Sequence, residues 1–226
     1  MKIGGFQKLS LLNYPGKTAC TVFTSGCNFR CPYCHNSGLA EEKEPEITPE
    51  LVLDHLRKRR GILEGICISG GEPLIHRDIL QFFEQIKRLG YAIKLDTNGS
   101  NPDLLKEAIK SGLVDYAAMD IKNTAEKYPM TAGCAVSFPE SIGESAEFLK
   151  RGTVPYEFRT TVVNEFHDAE DIRKIAGFLA GASVWYLQPF QDVPEVPVKG
   201  LHAPDPEKMK EYGSIANRFV KTMIRN

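Results

Sequence analysis

The sequence predicts an α/β chain: a partial (βα)6, TIM-like barrel in which a parallel sheet carries outer helices. Three observations predict it. Strand-like and helix-like segments alternate six times with short connections. Helices open or close at named residues: Thr48 caps the first, Gly90 stops the second and Gly112 stops the third. The 226 residues suffice for one good-sized domain and contain no internal repeat, low-complexity segment or convincing boundary. Six units are too few for a full eight-stranded barrel, and a doubly wound sheet is the competing arrangement.

Each unit has its own signal. Ala19–Thr24 (ACTVFT) is β-branched and aromatic, and a helix follows over 49–60, with Thr48 as N-cap and Pro49 at its first position. The second unit is a short buried strand, 66–69, and a helix over 77–89 stopped by Gly90. Strand 92–96 leads to helix 102–111, again stopped by a glycine, Gly112. Strand 114–120 precedes helix 139–150, strand 156–163 precedes helix 169–179, and strand 183–187 precedes a long terminal helix over 205–225. Between the last strand and helix, 188–206 holds five prolines and reads as an ordered loop. Arg57-Lys58-Arg59-Arg60 sits at a helix C-terminus, where cations suit the dipole.

Composition removes several classes of function. Hydrophobic residues make up 42% and charged residues 25%, values of a folded chain rather than a disordered one. With 28 basic and 29 acidic residues the formal charge is −1, without the basic excess expected of a nucleic-acid binder. No apolar stretch approaches the roughly 20 residues a bilayer demands. The N-terminal residues lack the apolar core of a signal peptide, so a cytoplasmic location is expected.

In that compartment six cysteines are not a disulfide framework. Cys20, Cys67 and Cys134 are scattered and read as small buried hydrophobes. Cys27, Cys31 and Cys34 cluster in Gly26-Cys27-Asn28-Phe29-Arg30-Cys31-Pro32-Tyr33-Cys34-His35-Asn36, directly after the first strand. Four chemistries compete for this run. Cys31-Pro32-Tyr33-Cys34 alone is a glutaredoxin dithiol, but leaves Cys27 without a role. Cys31 to His35 is a C-x-x-C-H haem attachment pattern, which belongs to exported proteins. Zinc would take Cys27, Cys31, Cys34 and His35, although structural zinc sites usually draw on two separated loops. The whole spacing, C-x-x-x-C-x-x-C, suits a 4Fe–4S cluster with three protein thiolates and one iron open to a small molecule.

With Tyr33 as the aromatic residue, C-x-x-x-C-x-aromatic-C after the first strand resembles the radical S-adenosylmethionine (radical SAM) enzymes. The wider run, including Cys34-His35-Asn36, resembles the glycyl-radical-enzyme activating group, pyruvate formate-lyase activating enzymes among them. Lys2-Ile3-Gly4-Gly5-Phe6-Gln7-Lys8 and then Tyr14-Pro15-Gly16-Lys17 look closest to anaerobic ribonucleoside-triphosphate reductase activating proteins. The resemblance spans nearly the full chain. It implies a single radical SAM domain over 1–226, with a cluster loop at 26–36 and a C-terminal loop and helix at 188–226.

The remaining motifs follow the strands, at the edge where parallel barrels bind ligands. Ser69-Gly70-Gly71-Glu72-Pro73 is a tight turn on the ordinary reading; the resemblance implies contact of Gly70, Gly71 and Glu72 with the methionyl amino group of SAM. Asp96-Thr97-Asn98-Gly99 and Asp120-Ile121-Lys122 read as polar strand ends with Asx-type turns. By resemblance, Lys122 pairs with the methionyl carboxylate and Asp120 faces the ribose or sulfonium side. Asp96, Thr97 and Asp120 match positions where relatives hold a monovalent cation. Arg159 and Thr161 share a face by period two, and Arg159 matches a cofactor-contacting arginine. Its ordinary reading is an ion pair with Glu157. Gln191 lies in the loop that covers adenine in relatives and stands where pyruvate formate-lyase activators carry a histidine, and Asn164 replaces a usual proline.

The resemblance implies one-electron cleavage of SAM at the cluster to methionine and a 5′-deoxyadenosyl radical, which takes a hydrogen atom from a glycine of a partner enzyme. It implies a flavodoxin or ferredoxin as electron donor, and no catalytic side chain for proton transfer. Phe190, Val193, Val196 and Val198 read as local packing or, together, as a docking lip for the partner. Two alternatives stand beside this reading: a radical SAM enzyme acting on a small molecule, of the deazapurine-forming type, and a zinc-stabilised binding module.

Overall fold

The computed structural model describes residues 1–134 and 140–225. Its sheet has eight strands in chain order: β1 (Ile3–Ser10), β2 (Ala19–Thr24), β3 (Gly65–Gly70), β4 (Ala92–Thr97), β5 (Tyr116–Asp120), β6 (Tyr156–Val162), β7 (Trp185–Pro189) and β8 (Thr222–Ile224). β1 pairs antiparallel with β2, and every later neighbour is parallel. A doubly wound sheet must reverse its strand order at a switch point, and this one never does. The expected partial barrel stands: β2–β7 are the six expected strands, and β8 adds a seventh parallel strand at the edge.

The helices are α1 (Ser37–Ala40), α2 (Pro49–Lys58), α3 (Ile79–Arg88), α4 (Pro102–Lys110), α5 (Tyr128–Ala132), α6 (Glu140–Lys150), α7 (Ala169–Phe178) and α8 (Pro206–Ala216). Thr48 does precede α2, but its side chain makes no capping bond. Asn101 caps α4 by accepting from Leu104 N at 3.2 Å, and Asp168 and Asp171 form a reciprocal capping box on α7. Pro139, the expected start of the fourth unit's helix, lies outside the described residues. Cys20 and Cys67 are fully buried, as expected, whereas Cys134 is only half-buried. No helix among the described residues is long and apolar enough to cross a membrane.

Both sheet edges differ from expectation. β1 escapes a hydrophobic reading because it opens with Gly4-Gly5 and exposes Gln7, Lys8 and Leu9. The terminal helix was expected to run to 225, yet α8 stops at Ala216. Asn217 turns the chain: its side-chain amide donates to Gly213 O at 2.8 Å and its side-chain oxygen accepts from Thr222 N at 2.8 Å. The returning segment becomes β8 beside β7.

An ion pair seals that edge. Glu157 on β6 is fully buried, and its carboxylate accepts from Arg225 Nη1 and Nη2 at 2.8 and 2.9 Å and from Tyr116 Oη at 3.0 Å. The Arg225 guanidinium also lies 3.6 Å from the centre of the Tyr186 ring. Glu157 is therefore not the hydrogen-bonded partner of Arg159. That arginine sits two residues closer to the C-terminal edge and bonds to the carboxylates there, Asp96 and Asp120. Replacing Arg225 by Gln strands a buried carboxylate. Because the arginine is itself a third exposed (34%), we expect a loss of about 2–3 kcal/mol in urea unfolding, below the full cost of breaking a buried pair. Adding Glu157→Gln should restore a substantial part of it.

Candidate functional site

The cysteine loop leaves β2 through Gly26, whose φ of +85° favours glycine. Gly26 N donates to Leu39 O at 2.7 Å, and Gly26 O accepts from Glu72 N at 2.9 Å. Gly71 packs so closely that a Cβ there would lie 1.9 Å from Gly26 O. The glycine pair after β3 thus has a packing role: it lets two strand-end turns touch backbone to backbone. Asn28 joins the loop to the turn after β4, accepting from Asn98 Nδ2 at 2.9 Å and donating to Ser100 Oγ at 2.8 Å. Arg30 N donates to Ala132 O at 2.9 Å, and Gly133 has no side chain to strike Arg30 O.

All fourteen residues singled out from the sequence line one cavity of about 490 Å³ at the C-terminal ends of the strands. The cavity is of ordinary size for a cofactor site. Cys27, Cys31 and Cys34 form one wall; burial pushes the Cys27 thiol up to about 11 and that of Cys31 up to about 12. Tyr33 is 4% exposed, packs with Val163, Phe190, Val196 and Leu201, and keeps a buried hydroxyl with no hydrogen-bond partner among the described residues. Thr161 is half-buried, and Gln191 stands exposed at the rim. Arg225, not anticipated from the sequence, also lines the cavity.

The opposite wall is a chain of alternating charges. Arg159 donates from Nε to Asp120 at 2.8 Å and from Nη1 to Asp96 at 3.2 Å. Lys122 Nζ reaches the other Asp120 oxygen at 3.1 Å, and Lys94 Nζ bonds to the other Asp96 oxygen. Burial alone would raise both carboxyls, but the adjoining cations hold each below its usual range. Burial would likewise lower Lys122; the Asp120 carboxylate holds it well above its ordinary value instead. His167 supports this wall: Nε2 bonds to Lys122 O at 2.9 Å, and Nδ1 accepts from Val163 N at 3.1 Å. Nδ1 as acceptor makes Nε2 the protonated nitrogen.

Glu72 is buried and accepts from Leu74 N at 3.1 Å, Thr97 Oγ1 at 2.7 Å and Asn98 N at 2.6 Å. It clamps the end of β3 to the end of β4.

A family model described as the radical SAM superfamily matches residues 21–179. The chain belongs to the radical SAM superfamily. A candidate glycyl-radical enzyme activating enzyme of Methanocaldococcus jannaschii is 32% identical over 228 residues, covering 98% of this chain and 94% of that protein. A candidate GTP 3′,8-cyclase of Thermococcus kodakarensis is 30% identical over 152 residues, 65% of this chain and 48% of that protein. A solved radical SAM methyltransferase from Sphaerobacter thermophilus shares the fold, with a TM-score of 0.75 at 16% identity over 96% of this chain and 68% of that one.

Membership of the radical SAM enzymes implies a 4Fe–4S cluster and SAM, and the donor set fits them. Three soft thiols on one loop face one cavity. Cys27 and Cys31, held neutral by burial, become thiolates on meeting a metal cation. A monovalent cation does not fit Asp96, Thr97 and Asp120, whose side-chain oxygens are already engaged by Lys94, Arg159, Lys122, Glu72 and Gly99 N.

Burial raises Glu72 from 4.5 to about 7, above its unfolded value. The folded state therefore binds the extra proton across that interval, and its ionisation costs stability as pH rises through it. The melting temperature of the wild type, relative to Glu72→Gln, is expected to fall as pH climbs from 4.5 to 7. A difference that stays flat would mean a carboxylate ionised throughout.

Proposed function

We propose that this radical SAM enzyme activates a glycyl-radical enzyme, with anaerobic ribonucleoside-triphosphate reductase as the partner and a flavodoxin or ferredoxin supplying the electron. The observation that carries the activating role is the near end-to-end match with the M. jannaschii relative; the reductase as partner rests on the resemblance of 2–8 and 14–17. The cyclase match covers 65% of this chain and 48% of that protein, against 98% and 94% for the M. jannaschii relative.

In this reading Cys27, Cys31 and Cys34 each hold one iron and leave the fourth iron to SAM. Bound together, cluster and SAM supply one-electron cleavage of a carbon–sulfur bond and a 5′-deoxyadenosyl radical able to abstract hydrogen from a backbone glycine. The protein's part is position and exclusion of water. Lys122 offers a fixed cation for the methionyl carboxylate, held by Asp120 and by His167 at its own carbonyl. Arg159 and Thr161 face the nucleoside end, Gln191 covers it from the rim, and Gly70 and Gly71 leave the amino group access to backbone. Glu72 acts on this edge chiefly through its clamp on Thr97 and Asn98.

In the segment after β7, local packing accounts for two of the four apolar residues considered as a docking lip. Phe190 and Val196 are 3% and 1% exposed and pack around Tyr33, while Val198 is exposed. The strap is fastened to the cysteine loop by Val198 N donating to Pro32 O at 3.1 Å, and to α1 by Ser37 Oγ donating to Glu195 O at 2.5 Å.

Two experiments test the reading. After anaerobic reconstitution, Cys27→Ala, Cys31→Ala and Cys34→Ala should each lose the intact cubane by iron and sulfide assay, while Cys67→Ala keeps it. The reverse pattern would remove these cysteines as ligands. Reduced holoprotein incubated anaerobically with SAM and the host's anaerobic reductase should give a glycine-centred doublet in electron paramagnetic resonance. Absence of a doublet with every glycyl-radical enzyme of the host, alongside turnover of a small molecule, would overturn the activating role.

A further inference from the structure

Lys94 is the one charged residue in the middle of β4, between Ile93 and Leu95, and it is 2% exposed. A lysine ammonium is almost never buried without a partner, because desolvation of the charge is costly. By period two Lys94 shares a face with Asp96, and its Nζ bonds to Asp96 Oδ1. The Cys67 sulfur on neighbouring β3 lies 3.8 Å away, and burial holds that thiol neutral. The other Asp96 oxygen belongs to Arg159, and both Asp120 oxygens belong to Arg159 and Lys122. Thr97 Oγ1 donates to Glu72 and accepts from Gly99 N.

A bound hard cation collects several oxygen ligands at once. Here those side-chain oxygens are spent on a lysine, an arginine and a second lysine. The charges also add up: Lys94, Arg159 and Lys122 against Asp96 and Asp120 leave one positive charge, which suits a shelf that receives a carboxylate. Without Lys94 the same shelf is neutral, and Asp96 has an oxygen with no cation on it.

We propose that Lys94 is a built-in counter-cation that positions Asp96 and Arg159, so that this enzyme binds SAM without an alkali ion. Lys94 does not line the cavity and acts through Asp96, as a positioning residue. The inference rests on the assignment of Asp96, Asp120, Lys122 and Arg159 to the SAM site, and is independent of which partner enzyme is activated.

The test measures the SAM dissociation constant of cluster-loaded protein by anaerobic equilibrium dialysis, in potassium chloride and in tetramethylammonium chloride of equal ionic strength. The wild type and Lys94→Arg should bind equally in both salts, within about twofold. Lys94→Met should bind about tenfold more weakly in tetramethylammonium and recover when potassium or sodium is added, as the ion takes the vacated place. A wild type that loses about tenfold without alkali ions overturns the proposal, even if Lys94→Met fails to fold. Equal binding by Lys94→Met and wild type in both salts overturns it as well. Loss of SAM binding by the wild type in both salts would instead reject the site assignment itself.

Discussion

Asp96 and Asp120 end two neighbouring parallel strands, and both carboxylates are drawn into the same low-dielectric edge. Two such charges repel one another and lose their water, so neither is tolerable without cations in contact. Arg159, one strand further on, bonds to both. A guanidinium fits that place better than an ammonium, because its planar fork presents several donors at fixed angles. Lys94 and Lys122 then complete the outer oxygens. The backbone ladders set β4, β5 and β6 side by side, and this shared arginine ties their ends together at the cofactor edge.

The other half of the edge is held without ion pairs. Glu72 joins β3 to β4 through two hydrogen bonds, from Thr97 Oγ1 and Asn98 N, and Gly26 and Gly71 bring the turns after β2 and β3 into backbone contact. The cysteine loop is then fastened by Asn28 to the β4 turn, by Arg30 N to α5 and by Pro32 O to the strap. These fastenings use amide side chains and main-chain groups. Its three thiols line the cavity as one wall, on a frame that is already rigid.

Much of this was legible in the sequence. Strand-end motifs in a parallel fold come together because every strand delivers its C-terminus to one edge, so assigning six strands assigned the site. Lys94 escaped notice because a single lysine inside IKLDT is indistinguishable by pattern from a solvent-facing strand residue; only tertiary packing buries it. Arg225 was hidden by the terminal helix expected across it, and the Asn217 turn that ends the helix depends on hydrogen bonds to Gly213 and Thr222. β1 and β8 are edge strands with too few buried apolar residues to announce themselves. The clamp of Glu72 on Thr97 and Asn98, some 25 residues later, has no local signal in the sequence.

The bond between Ser37 and Glu195 spans 158 residues of chain, and Val198, which grips Pro32, comes later still. A ribosome adding about 5–20 residues per second needs on the order of 10–30 s to cover that distance. Through that interval the cysteine loop has been made but its strap has not. The nascent protein thus passes through a stage in which the three thiols lack part of their cover and stand open to solvent and to any oxidant in it.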